Sequence, residues 1–177
     1  ASTGIDLRDP DLWRSLSAAP AETTHRPPAE SPRRAAAPTS DTPVDLSAAL
    51  DALSGAARPL VLAGRGAWLA GASAELGQIA DTLGALTAST ALGRGIFPDE
   101  RYDLGITGGF GQEAAMAAAA AADVVLVVGA SLNQFTMRFG ELFGPGTTVI
   151  RVDLDQVASP QTAHPIAHLL LQGDAQA

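Results

Sequence analysis

The sequence contains no cysteine and no lysine. Without cysteine there are no disulfides, thiolate metal sites or cysteine nucleophiles. All 11 basic residues are arginine, they are scattered, and only Arg33 and Arg34 are adjacent. Against 19 acidic residues they leave a formal net charge of -8. A nucleic-acid binder needs a basic patch or stripe. None is visible, and an acidic surface repels phosphate backbones and anionic membranes, so neither nucleic acid nor membrane is expected as a partner. Aromatics make up only 5% of the chain, which predicts an aliphatic core. No apolar run approaches the ~20 residues that span a bilayer. The first residues lack the basic flank and apolar stretch of a secretory signal, and a cytoplasmic location is the expectation.

What is present fits a globular domain: 177 residues, 46% of them apolar, enough for one core. Composition shifts near residue 43. Seven of the 12 prolines but only one of the 18 glycines lie at or before that position. The stretch from Pro20 to Pro43 has almost no large apolar residue and cannot bury enough surface to offset its ordering entropy. Residues 1–43 are therefore expected to be a Pro/Ala-rich linker and N-terminal extension, in which Ile5, Leu7, Leu12, Trp13 and Leu16 could dock on the domain or a neighbour. The folded domain is expected over 44–177.

From Val44 onward, elements alternate. Leu46, Leu50 and Leu53 have helical spacing, with Asp45 or Ser47 as cap and Gly55 as stop. Leu60 to Ala63 is a short apolar run that halts at Gly64-Arg65-Gly66. A helical pattern from Leu69 to Leu83 ends at Gly84, and Leu86 to Thr90 reads as a weaker strand. Ala91 to Gly111 is glycine-rich and reads as irregular; Gln112 to Ala122, nearly all alanine, reads as helix. Val124 to Val128, Thr148 to Val152 and His168 to Leu171 are further strands. Runs that are apolar throughout mark strands buried on both faces. Separated by helices, they predict a doubly wound, Rossmann-like α/β domain: a parallel sheet with helices on both faces.

In such sheets ligands bind beyond the carboxyl ends of the strands, where strand order reverses. Gly64-Arg65-Gly66, Gly129-Ala130-Ser131 and the carboxylates Asp153 and Asp155 all fall at strand ends, an arrangement compatible with an adenine nucleotide. Strand–glycine turns are equally a general feature of α/β folds, and Gly64, Gly66 and Gly71 depart from the G-x-G-x-x-G spacing. A catalytic constellation is not apparent. His164 and His168 flank Pro165 and read as surface residues; Ser73, Ser89 and Ser131 lack a nucleophile-elbow setting. Glu113 and Asp123 read as cap or dipole partners of the alanine helix. Asp99-Glu100-Arg101 reads as a solvated loop with a local ion pair.

The order of motifs resembles the central domain of thiamine-diphosphate-dependent enzymes of the acetolactate synthase and benzoylformate decarboxylase kind. Arg58-Pro59-Leu60-Val61-Leu62-Ala63-Gly64-Arg65-Gly66-Ala67 is similar to that domain's opening strand and turn. Thr90 to Pro98 resembles its threonine–glycine–basic–glycine–x–phenylalanine–proline loop, and Leu104 to Gly108 its next glycine turn. Ala122 to Ala130, Val152-Asp153-Leu154-Asp155 and Gly173-Asp174 complete the set in the same order.

This resemblance implies a sheet of about six strands that holds FAD in acetolactate synthases and an adenine nucleotide in some relatives. Carried over by position, the ligand-facing residues are Gly64, Arg65, Gly66, Thr90, Ala91, Leu92, Gly129, Asp153 and Asp155. Two departures matter. Ser131-Leu132-Asn133-Gln134-Phe135 stands where FAD-binding members carry an arginine–x–aspartate–x–arginine-like segment, and Thr107 replaces a common histidine. Tightly bound FAD is therefore not expected, and FAD, ADP or a coenzyme A moiety remains the alternative occupant. The resemblance also implies that thiamine diphosphate and Mg2+ belong to pyrimidine- and diphosphate-binding domains of the same parent chain, absent here. The expectation is a structural and assembly domain of a homodimeric or homotetrameric 2-oxo acid decarboxylase or carboligase, inactive alone. A sirtuin-like deacylase is disfavoured by the missing cysteine zinc ligands.

Overall fold

Two of the unbroken apolar runs become strands buried at every position: β1 (Pro59–Ala63) and β4 (Val124–Val128). The computed structural model describes residues 46–176; the expected linker over 1–43, with Trp13 and His25, and the capping candidate Asp45 lie outside them. The remaining strands are β2 (Leu86–Ser89), β3 (Asp103–Ile106), β5 (Thr148–Asp153) and β6 (Ala167–Gln172). The helices are α1 (Ser47–Ser54), α2 (Arg65–Ala70), α3 (Ser73–Leu83) and α4 (Glu113–Ala120).

All strand pairs are parallel, in the order β3-β2-β1-β4-β5-β6. The chain enters at the centre, runs out to β3, returns beside β1 as β4 and then proceeds to the other edge. The reversal lies between β1 and β4, which is where an open α/β sheet forms its crevice. Side chains alternate between two cores, as strand geometry requires. Val61, Ala63, Leu126, Val128 and Ile150 pack on one face with Ala67, Leu76 and Ala80 from α2 and α3. Leu60, Leu62, Val125, Val127 and Val149 pack on the other, against Met116 and Ala119 of α4 and Leu132, Met137, Leu142 and Phe143 from the irregular segment after β4.

Three expectations need correction. The helical pattern over 69–83 is not one helix: Gly71, at φ 76°, closes α2 in the left-handed conformation and α3 starts afresh. The stretch read as irregular over 91–111 contains β3, an edge strand whose pairing with β2 is interrupted, so that no apolar run marks it. Leu46 and Leu50 of the first helical pattern stay exposed, and only Ala49 of α1 is fully buried.

Asp123 does more than flank α4. Its two carboxylate oxygens accept the backbone N–H groups of Ala57 and Arg58 at 2.9 and 2.8 Å. Its own N–H donates to the Arg58 carbonyl and its carbonyl accepts from Thr148, so it staples the starts of β1, β4 and β5 together. Partial desolvation pushes its proton affinity up, but the N–H donors outweigh this and hold the carboxyl below its ordinary value. The Asp99-Glu100-Arg101 loop holds no ion pair of its own: Asp99 accepts the Arg101 backbone N–H at 2.8 Å, and the guanidinium lies over the Tyr102 ring.

Candidate functional site

The nine residues carried over as ligand-facing all fall at the carboxyl edge of the sheet, but they divide into two groups. The first is a knot of glycine turns at the strand-order reversal. Gly64 donates to the Val128 carbonyl at 3.0 Å and Gly66 to the Gly129 carbonyl at 2.8 Å. A Cβ on Gly64 would lie 2.4 Å from the Ala130 Cα, one on Gly66 2.8 Å from the Gly129 Cα, and one on Gly129 2.3 Å from the Ala67 nitrogen. Gly129 also sits at φ 55°. Each turn is therefore glycine because the other turn occupies the space a side chain would need. In a phosphate-binding turn, that space and those N–H groups face the ligand. Here the carbonyl of Gly129 takes the Gly66 donor, and backbone fills the gap.

Thr90 belongs to the same knot: it is buried and its N–H donates to the Ala63 carbonyl at 2.9 Å. Ala91 and Leu92 follow in a 3-10 turn with their side chains exposed, and Arg65 is exposed at the start of α2. Thr107 is buried, and its hydroxyl turns back on the Ser89 carbonyl. In the segment from Ser131 to Phe135, Asn133 accepts the Thr136 N–H at 2.9 Å and builds its own turn. Ser73 donates its hydroxyl to the Ile96 carbonyl.

The second group sits one strand away. Asp153 ends β5 and Asp155 lies just beyond it, where its N–H donates to Asp153 Oδ1 at 3.3 Å. The other oxygen, Oδ2, accepts from Arg151 Nη2 at 3.3 Å. Sequence inspection passed over Arg151, because an arginine inside an apolar strand reads as an interruption. It is only 6% exposed, and its Nη2 also donates to the Ala130 carbonyl at 2.9 Å, tying β5 to the turn after β4. Its Nε is buried without an acceptor.

His168, read as a surface residue, is half-buried on β6, with Nε2 buried and unpartnered. Burial, and then the charge of Arg151, lower its pKa. His164 is exposed, as read. The alternation of β5 and β6 puts Arg151 and His168 on the same face, that of α4.

Above the knot, the carboxyl edge carries exposed apolar side chains. Phe110 and Phe135 are 68% and 46% exposed and meet edge to face at 5.1 Å, with Leu92 exposed on the neighbouring turn. The only hint of this in the sequence was the presence of large apolar residues in glycine-rich loops. Among the described residues no three His, Asp or Glu side chains lie close enough to hold a metal ion.

Comparison with known proteins agrees with this architecture. Residues 46–177 match the family described as "Thiamine pyrophosphate enzyme, central domain". The acetolactate synthase large subunit ascribed to Methanocaldococcus jannaschii is 28% identical over 135 residues, covering 76% of this chain and 22% of that protein. The acetolactate synthase of Arthrospira platensis is 32% identical over 118 residues, 64% of this chain and 20% of the relative. A solved enzyme from Mycobacterium smegmatis, described as thiamin diphosphate-dependent, superposes with a TM-score of 0.54 at 27% identity, covering 74% of this chain and 25% of its own. The chain spans about a fifth of the length of the curated relatives it matches. With the family match extending over all the described residues and the parallel sheet to go with it, this chain belongs to the central-domain family of thiamine pyrophosphate enzymes.

Proposed function

We infer that the chain is the structural and assembly domain of a thiamine-diphosphate-dependent carboligase or 2-oxo acid decarboxylase of the acetolactate synthase type, and that it performs none of the chemistry by itself. The observation that carries this reading is the filled crevice: Gly64, Gly66 and Gly129 pack backbone to backbone where a nucleotide-binding sheet keeps room for phosphate. In the parent enzyme, thiamine diphosphate and Mg2+ belong to the pyrimidine- and diphosphate-binding domains, and the cofactor supplies the carbanion chemistry. This domain contributes rigidity, and Phe110, Phe135 and Leu92 offer an exposed apolar edge of the kind that contacts neighbouring domains. Residues 1–43 serve as the linker into the domain, and the assembled parent is a cytoplasmic homodimer or homotetramer.

A second reading, a module that keeps an adenine nucleotide or coenzyme A moiety, draws support from Asp153 and Asp155. These carboxylates lie at and just beyond the end of β5, beside the turn after β4, whose Gly129 N–H donates to the Val152 carbonyl at 2.9 Å. Thermal-shift titration separates the two. The scaffold reading expects a flat melting midpoint with thiamine diphosphate and Mg2+, FAD, ADP and coenzyme A. A midpoint that climbs with the concentration of FAD, ADP or coenzyme A would establish the second reading. A climb with thiamine diphosphate and Mg2+ would overturn both.

A further inference from the structure

A cavity of about 440 Å3 opens on the α4 face of the sheet, beside the turn after β4. Its volume falls in the lower part of the range for small-molecule sites, roughly 300–1,000 Å3. Asn133, Gln134, Phe139, Arg151, Ser159 and Pro160 are among the side chains that line it.

Arg151 is the charged group of this lining, and it is 6% exposed. Of its three guanidinium nitrogens only Nη2 has a protein acceptor among the described residues, shared between the Ala130 carbonyl and Asp153. Nε is buried and unsatisfied, and on the same face of the next strand His168 Nε2 is buried and unsatisfied too. Buried polar atoms are satisfied in native structures by protein, water or ligand. Of the two residues only Arg151 lines the cavity, and its guanidinium brings donors there that the protein does not pair.

The opposite wall is built rather than loose. Arg138 and Phe139 hold successive positive φ angles of 48° and 58°, a costly conformation for residues with side chains. Gly140 locks the turn by accepting the Ala163 N–H at 2.9 Å, which fastens the segment carrying Ser159 and Pro160 to it. Phe139, left 79% exposed by the protein, forms part of this lining.

We propose that this cavity binds a small organic monocarboxylate, whose carboxylate meets the Arg151 guanidinium and whose apolar remainder lies against Leu132, Phe139 and Pro160. Guanidinium is the side-chain group best matched to a carboxylate. Asp153 already offsets part of its charge. Attraction rises in proportion to ligand charge while desolvation rises with its square, so a single negative charge suits the site better than a doubly charged phosphate. Asn133, Gln134, Ser159 and Gln161 add neutral hydrogen-bonding groups that fit a hydroxyl or carbonyl substituent. The proposal stands apart from the parent reaction, since it involves no step of catalysis.

The test is a titration of the 15N-labelled 177-residue chain, following the Arg151 Nε–H resonance, with isobutyrate, neutral isobutyramide and inorganic phosphate as probes. Isobutyrate lacks a 2-oxo group, so the result does not depend on the parent's substrate. Isobutyrate should shift the resonance saturably with a Kd of about 1 mM. Isobutyramide and phosphate should bind at least about tenfold more weakly. Ala158→Trp fills the cavity from an exposed loop position and leaves the buried guanidinium in place; it should weaken isobutyrate binding at least about tenfold while the melting curve stays cooperative. Arg151→Lys, which keeps the charge but loses the fork, should weaken it as well. The proposal is overturned by a non-saturating response to isobutyrate, by equal affinity for isobutyramide, by tighter binding of phosphate, or by undiminished affinity in folded Ala158→Trp.

Discussion

The two faces of this sheet are covered in different ways. On one, α1, α2 and α3 lay short regular helices over Val61, Ala63, Leu126 and Val128, with the neutral Thr87 buried beside them on β2. On the other, α4 covers only part of the surface, and an irregular segment with buried Leu132, Met137, Leu142 and Phe143 completes it. That second face carries Arg151 and His168, each with a buried nitrogen left without a partner, and the cavity of about 440 Å3, while the first face holds the unpartnered Thr87 hydroxyl. Regular helices present a continuous apolar stripe and leave little room for a charged group. Irregular chain can route carbonyls such as that of Ala130 to a buried guanidinium. The difference teaches that the face under regular helices is built from apolar and neutral groups, whereas the buried charge lies on the face closed by irregular chain.

The largest effect expected from breaking this division is at the knot. Gly129→Ala places a Cβ 2.3 Å from the Ala67 nitrogen at a φ of 55°, and should cost about 3 kcal/mol through strain and overpacking. Gly84→Ala, with a similar φ of 59° but nothing within 4 Å, should cost only about 1 kcal/mol. Urea unfolding of both variants measures the pair, and equal losses would show that the turns do not interlock. On the second face, Arg151→Met removes the cation but leaves Asp153 behind, 20% exposed at its side chain. A fully buried broken pair costs about 3–5 kcal/mol, so this half-wet one should cost about 2 kcal/mol in the same assay.

Asp123→Asn retains one acceptor for the Ala57 and Arg58 N–H groups and should cost about 1 kcal/mol, with less loss of stability on acidification than the parent shows. The sign follows from the lowered folded-state affinity: Asp123 contributes stability above its ordinary 3.8, and that contribution disappears as pH falls through the lower folded value.

The smallest effect belongs to His168. Burial and the Arg151 charge depress its folded pKa below its ordinary 6.5, so the unfolded chain takes up the proton more readily. Stability is present above 6.5 and is lost as pH falls through the depressed folded value. Melting midpoints measured from pH 7.5 downward should show this step, and His168→Leu should lack it.

Legibility in the sequence followed burial. Strands buried on both faces, such as Leu60 to Ala63 and Val124 to Val128, announce themselves as unbroken apolar runs. β3 did not, because an edge strand with interrupted pairing needs only half-buried residues such as Leu104 and Ile106. The glycines at the strand ends were legible as turns, but whether they face a ligand or one another depends on the distance between β1 and β4. Residues 66 and 129 meet in space and lie 63 positions apart in the chain. Arg151 escaped notice for a similar reason: its meaning comes from the Ala130 carbonyl and from Asp153, and only folding brings the former within reach. The resemblance carried the family identification where the residues alone stopped at a doubly wound sheet.

The central claim, that this domain is a scaffold whose chemistry comes from other domains, is tested most directly by measuring CO2 release from pyruvate with thiamine diphosphate and Mg2+ supplied. The account predicts release by the full-length parent enzyme and none above background by this chain alone. Sustained turnover by the isolated chain would contradict it.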